Sequence, residues 1–515
     1  MNDRSTRTVV ARVTRRVALH RLSVAGFGLL TASLLAACSA ASATSQPAST
    51  TSSAPSTSPP RQASSSAIGL PTGALTPAAA SPSTGGAATS TLATSMTGAP
   101  VTAAATSSSS AVGRQPVMVR ALHLWSSPAG LTVQRQFDAR FEAQYPGIQI
   151  SFDNMAFSND TTSKLLALAA ADSLPDIVRA HPDYEVRFAT ANVWADLNPF
   201  VARTSGFNLK GDFLPVSLQY HQRAGKLNAI PVSSSTHVLY YNKDHFDKAG
   251  LAYPTDKWTY TGQFFEALQK LTQSSGPSRS IGWSGQMPGM DVTSDPVFLH
   301  PWGGAFLNDA KTACQLDQPA TRDALTWWLD LKNKYQFTPQ PADKISGDAF
   351  VGGRAALCYK LPQLLSALQQ AHVGFNWDVA QLPSGPATRS TGIGADAYGM
   401  TSSSKHPSEA WTYLNDYTST AGQAFAFGAT GFNLPGRLSA RPAFLGRAGN
   451  PAHVQAFVEA GAYAITLRPF GPEGPDVIST AAPTWKDALT GKRDVATVTA
   501  QICQAVDGLL HQASP

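Results

Sequence analysis

From residue 39 to about residue 113 the chain is built almost wholly from Ser, Thr, Ala, Pro and Gly, with Arg61 as its one charge. A segment folds only if the apolar surface it buries offsets the roughly 1–2 kcal/mol per residue that ordering the backbone costs. These residues have almost no large apolar side chain to bury. Whatever builds a core therefore lies beyond them. As a flexible chain of about 75 residues the segment has an end-to-end distance of roughly 45–50 Å, and its Ser/Thr/Pro content suits O-glycosylation. It reads as a disordered tether.

Ahead of the tether, Arg4, Arg7, Arg12, Arg15, Arg16 and Arg21 stand against Asp3 alone, and residues 22–37 are then uncharged. A basic stretch followed by an apolar one is the order of an export signal. The uncharged run of 16 residues is shorter than the roughly 20 that span a bilayer, so residues 1–37 are expected to be cleaved. Leu35-Ala36-Ala37-Cys38 resembles the lipobox of bacterial lipoproteins, in which the cysteine becomes the diacylated first residue. The alternative is cleavage near Ala37 or Ala40 with Cys38 incidental. Tandem acyl chains hold a protein durably where one binds only marginally. The lipobox implies a protein anchored on the outer face of the cell membrane, at the cell surface or in the periplasm, with residues 38–116 as the lipidated cysteine and tether. Thr14-Arg15-Arg16-Val17-Ala18-Leu19 also resembles a twin-arginine export signal, with general secretion as the other route.

The export segment carries +5 of the formal net charge of +6. The rest of the chain is close to neutral and has no Lys/Arg stripe, so the electrostatic footprint of a nucleic-acid binder is missing. The stretch of near 400 residues beyond the tether exceeds the usual size of a single core and suggests two lobes. Residues 117–125 (VMVRALHLW) read as a strand, Val133, Phe137 and Phe141 fall at helical spacing, Pro146-Gly147 stops the helix, and Ile148, Ile150 and Phe152 alternate as a strand. A helix carrying Leu165, Leu166 and Leu168 and a buried strand at 175–178 come next. Strand, helix and strand in alternation predict an α/β fold with a mostly parallel sheet. Further helices are expected at 261–272, 321–335 and 408–425, with Trp327, Trp328, Trp411 and Tyr413 read mainly as packing residues.

Motifs of catalysis are weak. In Gly282-Trp283-Ser284-Gly285-Gln286 a glutamine stands where a nucleophile elbow has its second glycine, and no buried strand is evident before it. Residues 392–397 (GIGADA) match a dinucleotide fingerprint in letters only and read as a turn with close backbone approach. There is no HExxH and no Cys/His set at zinc spacing. No cofactor, metal or catalytic residue is assigned. Paired carboxylates for glycoside hydrolysis, which need not be close in sequence, keep a polysaccharide-acting surface enzyme as an alternative.

Several stretches then occur in a telling order: residues 141–150 (FEAQYPGIQI), 174–178 (LPDIV), Ile230-Pro231, 240–246 (YYNKDHF), Trp302-Gly303-Gly304, 350–357 (FVGGRAAL) and 431–435 (GFNLP). This order resembles extracellular solute-binding proteins of family 1, the sugar-binding components of ABC transporters that include maltodextrin-binding proteins. The resemblance implies a two-lobe periplasmic-binding-protein-like fold of type II, with the ligand cleft between lobes joined by hinge strands. By analogy lobe 1 takes 117–232 and 388–433, and lobe 2 takes 233–387 and 434–515, with hinges at 227–231 and 377–383. The implied partners are a carbohydrate ligand, the permease subunits of an importer and, through the lipid, a membrane. A monomer is expected. A sensor or adhesion module on the same fold is the other alternative, and a polyol or polyamine is a further candidate solute.

A sugar needs aromatic platforms for its C–H faces and polar groups for its hydroxyls. Trp125, at the end of the first strand and followed by Ser126 and Ser127, and Trp302, before Gly303, are the candidate platforms, with core packing as the alternative. His181 and Asp183 follow a strand. Asp396 and Tyr398 follow the glycine turn as a candidate acceptor and stacking face, Asn433 sits in a glycine-rich loop, and Arg468 is a candidate donor. Of the cysteines beyond Cys38, Cys314 and Cys358 are nearest in sequence and are the expected disulfide, with Cys503 left over.

Overall fold

The computed structural model describes residues 115–513 apart from 126–127, 156–160, 274–278, 291–293, 468–470 and 472. The export signal, Cys38 and the tether lie outside the described residues, as do Ser126, Ser127 and Arg468.

The chain opens as its periodicity predicts. β1 (Val117–His123) leads to α1 (Pro128–Gln144), whose buried face carries Val133, Phe137 and Phe141. β2 (Ile148–Asn154) returns parallel to β1 in a register that pairs Val117 with Ile148 and His123 with Asn154. α2 (Thr161–Ala170) buries Leu165, and β3 (Ile177–Ala180), wholly buried, lies parallel to β1 on its other side. After α3 (Pro182–Thr190), the chain reaches β4 (Ile230–Pro231), β5 (Ser235–Thr236) and β6 (Val238–Asn242) in close succession. α4 (Phe265–Leu271), β7 (Ile281–Trp283), α5 (Pro319–Asn333), β8 (Ala355–Lys360), α6 (Gln363–Gln370) and β9 (Trp377–Ala380) follow. Then come β10 (Thr391–Gly394), β11 (Ala397–Met400), α7 (Pro407–Tyr417), β12 (Ala464–Thr466), α8 (Gly474–Leu489) and α9 (Val495–Ala513).

These strands form one sheet in each of two lobes and a smaller sheet of crossing strands. The first has the order β2-β1-β3-β11-β4, the second β9-β6-β8-β7, and the third β12-β10-β5. Both large sheets are mixed, contrary to the mostly parallel sheet expected. β11 runs antiparallel to β3 and β4, and β6 antiparallel to β8 and β9. In the first sheet the reason is connectivity, since the chain leaves it after β4 and re-enters as β11 in the opposite direction. Each sheet is packed on two faces. Phe137, Phe141, Tyr413 and Tyr417 cover one side of the first and Leu165, Tyr184, Phe188 and Trp194 the other. Trp283, Trp328 and Trp485 lie on one side of the second, and Tyr240, Phe350, Leu365 and Phe457 on the other.

Five expectations fail here. The strands cross between lobes at 232–236 and 394–397, so 377–380 is the edge strand of the second sheet, paired from Trp377 with Asn242 to Ala380 with Leu239, and no hinge. The helix expected at 408–425 stops at Tyr417, because Ser419 caps a new turn by accepting from Gly422 N, and a Cβ at Gly422 would lie 2.0 Å from the Asp416 carbonyl. A short buried strand does precede Ser284, and the 392–394 glycine segment is a strand rather than a turn. Finally, Cys314 is bonded to Cys503 on α9 across 189 residues, and Cys358 is a buried free thiol. Alternation along β8 sends Leu357 and Tyr359 to the face that Cys314 and Cys503 share, and Cys358 to the opposite face.

Candidate functional site

In the fully buried strand Ile177-Val178-Arg179-Ala180 one residue is a cation. A buried guanidinium needs partners, and the fold supplies them from three directions. Arg179 Nη2 donates to Asp396 Oδ1 at 2.6 Å, Nη1 donates to the Leu124 carbonyl at 2.9 Å, and the guanidinium lies 4.1 Å from the centre of the Trp125 ring. Burial would lower the pKa of Arg179, but the charge and hydrogen bond of Asp396 together with Tyr398 and Tyr184 outweigh it and the net shift is upward. Asp396 is the mirror case. Burial would raise its pKa, but Arg179, His181 and the Ser233 hydroxyl hold it below the usual carboxylate value. The Asp396 side chain remains 22% exposed. An ionised, partly accessible carboxylate accepts hydrogen bonds and donates none, which suits the hydroxyls of a polyol.

Asp396 sits where the chain passes between lobes. Its carbonyl accepts from Val232 N at 2.8 Å and Ser233 N at 3.2 Å, and its Oδ2 accepts from Ser233 Oγ at 3.3 Å and Asn433 Nδ2 at 3.5 Å. A third crossing segment joins these two, with Ser233 bridged to Pro435 and Ser234 N donating to the Leu434 carbonyl. The run Ser233-Ser234-Ser235-Thr236 is entirely buried, and its hydroxyls go to Asp396, Ser217, Asn433 and the Phe457 carbonyl. Polar residues between two buried apolar strands are the sequence sign of this crossing.

The expected site residues divide accordingly. Asp396 and His181 come together with Arg179, and His181 also begins α3, its carbonyl accepting from Tyr184 N and Glu185 N. Asp183 lies on α3, and its side chain is outside the described residues. Trp125 is only 5% exposed. Arg179 covers one ring, Phe432 meets it edge-on at 5.6 Å, and its Nε1 donates to Gln134 Oε1. It is therefore no open platform in this conformation. Tyr398 is fully buried, its hydroxyl 2.6 Å from His123 Nδ1 and donating to Gln134 Oε1, so it offers no stacking face. It lies opposite Arg179 in the β3–β11 register and belongs to the core beneath it. Asn433 is likewise buried, with its Oδ1 and Nδ2 each hydrogen-bonded within the protein, so it takes a joint position instead of a ligand contact.

Trp302 is different. It is partly exposed, stacked on Tyr260 with ring centroids 5.3 Å apart and tilted against Trp327 at 5.1 Å. Two glycines set it there. Gly303 adopts a φ of +80°, which closes the turn at 300–302, and Gly304 abuts the start of α5, where a Cβ would lie 2.7 Å from Thr321 Oγ1. A separate surface hollow of about 290 Å³, lined by Ser366, Gln369, Gln370, His372, Thr430 and Arg447, shares none of these residues. The residue that sequence reasoning missed is Arg179. Its signal was a lone cation in an otherwise apolar four-residue strand.

Comparison with known proteins places this geometry. The family described as bacterial extracellular solute-binding protein matches residues 136–456. A binding protein of Brucella abortus is 23% identical over 282 residues, covering 53% of this chain and 66% of its own length. The sn-glycerol-3-phosphate-binding periplasmic protein UgpB of Salmonella paratyphi A is 25% identical over 287 residues, covering 53% and 64%. The chain thus spans just under two thirds of the length of these curated relatives. Among solved structures, the ABC substrate-binding protein Lmo0181 of Listeria monocytogenes, in complex with cycloalternan, superimposes with a TM-score of 0.68 at 21% identity, over 77% of this chain and 100% of that one. The likeness is one of fold, two lobes of mixed α/β structure.

Proposed function

Because this chain belongs to the bacterial extracellular solute-binding proteins and has their two-lobe fold, we propose that it captures a sugar or oligosaccharide outside the cytoplasm and delivers it to an ABC-type importer. The observation that carries this reading is the hinge. Two separately packed lobes are joined by three short crossing segments, the arrangement that lets lobes close around a solute. On this reading lobe 1 takes 117–232 and 388–433, and lobe 2 takes 233–387 and 434–515.

The chemistry favours a neutral hydroxylated ligand. Arg179 is already paired, so the cleft floor presents a carboxylate and not a free cation. Asp396 and His181 are the proposed hydroxyl-binding groups on the first lobe and Trp302 the proposed stacking face on the second, with Ser126, Ser127, Asp183 and Arg468 kept as proposed ligand-binding residues. Thermal melts against a panel of mono- and oligosaccharides, with sn-glycerol 3-phosphate alongside, test the reading. A true ligand at a hundred times its Kd adds about 2.7 kcal/mol of stability. Stabilisation by the phosphate ester alone would overturn the sugar assignment.

The anchor is proposed on the lipobox. Cys38→Ser is expected to release the protein from membranes with ligand binding intact. Unchanged fractionation with membranes would contradict it.

A further inference from the structure

We propose that Asn433 and Gln363 form a coupling joint that holds the two lobes in the closed arrangement, a role that rests on the two-lobe capture reading and deepens it. The Asn433 amide is 1% exposed and bonded to three parts of the molecule at once. Its Nδ2 donates to Asp396 Oδ2 at 3.5 Å, at the root of the first-lobe strand β11. Its Oδ1 accepts from Ser235 Oγ at 3.3 Å, on the crossing strand β5, and from Gln363 Nε2 at 2.5 Å, at the start of the second-lobe helix α6.

The chain around Asn433 makes the same passage. Phe427 and Phe432 pack into the first-lobe core, while Leu434 lies in the second-lobe core. α6 is fixed in that second core by Leu364, Leu365 and Leu368, so a pull on Gln363 is a pull on the whole helix. On the other side, Asp396 is held by Arg179, the group that covers Trp125. A continuous polar chain therefore runs from the floor of the proposed cleft through the hinge to the second lobe: Arg179, Asp396, Asn433, Gln363.

The conformation that contains this chain is one in which the lobes also meet farther out. Arg187 on α3 donates to Asp476 on α8 at 2.7 Å. The packed neighbours of Arg187, Tyr184 and Phe188, belong to the first-lobe core, and those of Asp476, Val477 and Ala481, to the second. Rotation of the second lobe away from the first would draw Gln363 Nε2 from Asn433 Oδ1. Asn433 is then a positioning residue, without ligand contact of its own.

The test measures lobe separation directly. Labels on exposed Gln136 of α1 and on exposed Lys334 after α5 report the interlobe distance by double electron–electron resonance, with and without saturating sugar from the stabilising panel. Gln363→Glu keeps shape but replaces the donor by an acceptor facing Asn433 Oδ1, and it is the primary variant. Asn433→Ala is the second. Each should lengthen the mean ligand-free distance, weaken every bound sugar by a common factor of about 3 to 10, and leave the order of sugar preferences unchanged. The double variant should be no worse than the more affected single one.

A ligand-free distance that stays the same or shortens in Gln363→Glu overturns the joint. So does additive loss in the double variant. The ligand-free distance needs no sugar, so failure of the sugar panel and failure of the joint are read separately. If Asn433→Ala does not fold, Gln363→Glu decides alone.

Discussion

Asp138 on α1 shows how much the first-lobe core costs a charge. It is 7% exposed, and burial raises its pKa to about 6 from the usual 3.8, against the opposing hydrogen bonds from Tyr413 Oη and Gln134 Nε2. Between these two values the folded state binds more protons than the unfolded state, so stability falls as pH rises through that window. Asp138→Asn keeps the Oδ1 acceptor and removes the charge. A tenfold change in an ionisation constant is worth about 1.4 kcal/mol, so at pH 7 the variant should be more stable than the parent by about 1–3 kcal/mol. The difference should close toward pH 4. Denaturant melts at pH 4, 5, 6 and 7 check it, and a difference that does not depend on pH would contradict it. At this scale sequence legibility was uneven. Asp396 could be picked out because it follows a glycine-rich strand, whereas the burial of Trp125 and Tyr398 could not. Which side chain covers a ring depends on Arg179, which arrives from another strand.

Elements were the most legible level. α1, β1, β2 and β3 follow from 3.6-residue and two-residue periods, and those periods depend only on neighbours in the chain. The crossing segments escape such a reading because a hinge has no period. Its mark is the buried hydroxyl run 233–236, whose partners are up to 221 residues away. The disulfide escapes it for the same reason, since sequence proximity does not reveal which face of β8 a thiol occupies. The Cys314–Cys503 bond ties α9 to the segment before α5, and it closes a loop of 189 residues. Removing it by Cys503→Ser should destabilise the protein by about 2–5 kcal/mol, the usual cost of losing a native disulfide, while Cys358→Ser leaves the bond intact. Non-reducing peptide mapping and melts separate the two variants. Equal destabilisation by reductant of the parent and of Cys503→Ser would contradict the assignment.

At the scale of the whole molecule, two separately packed lobes are joined by a hinge rich in buried, hydrogen-bonded polar groups. A ligand shifts such a protein toward closure only by binding the closed state more tightly than the open one. On the proposed reading Asp396 and His181 belong to one lobe and Trp302 to the other, and a sugar touching both would have that differential affinity. The two-lobe organisation was legible from length and from the order of family-like stretches. The outlying ion pair of Arg187 with Asp476 was not, since exposed charges 289 residues apart leave no local mark. The most direct test is the distance between labels at Gln136 and Lys334 in the full-length protein, titrated with a sugar that stabilises it. Capture by lobe closure makes the distribution narrow and shift to shorter distance with the same midpoint as calorimetric binding. Binding that saturates while the distance distribution stays unchanged would contradict capture by lobe closure.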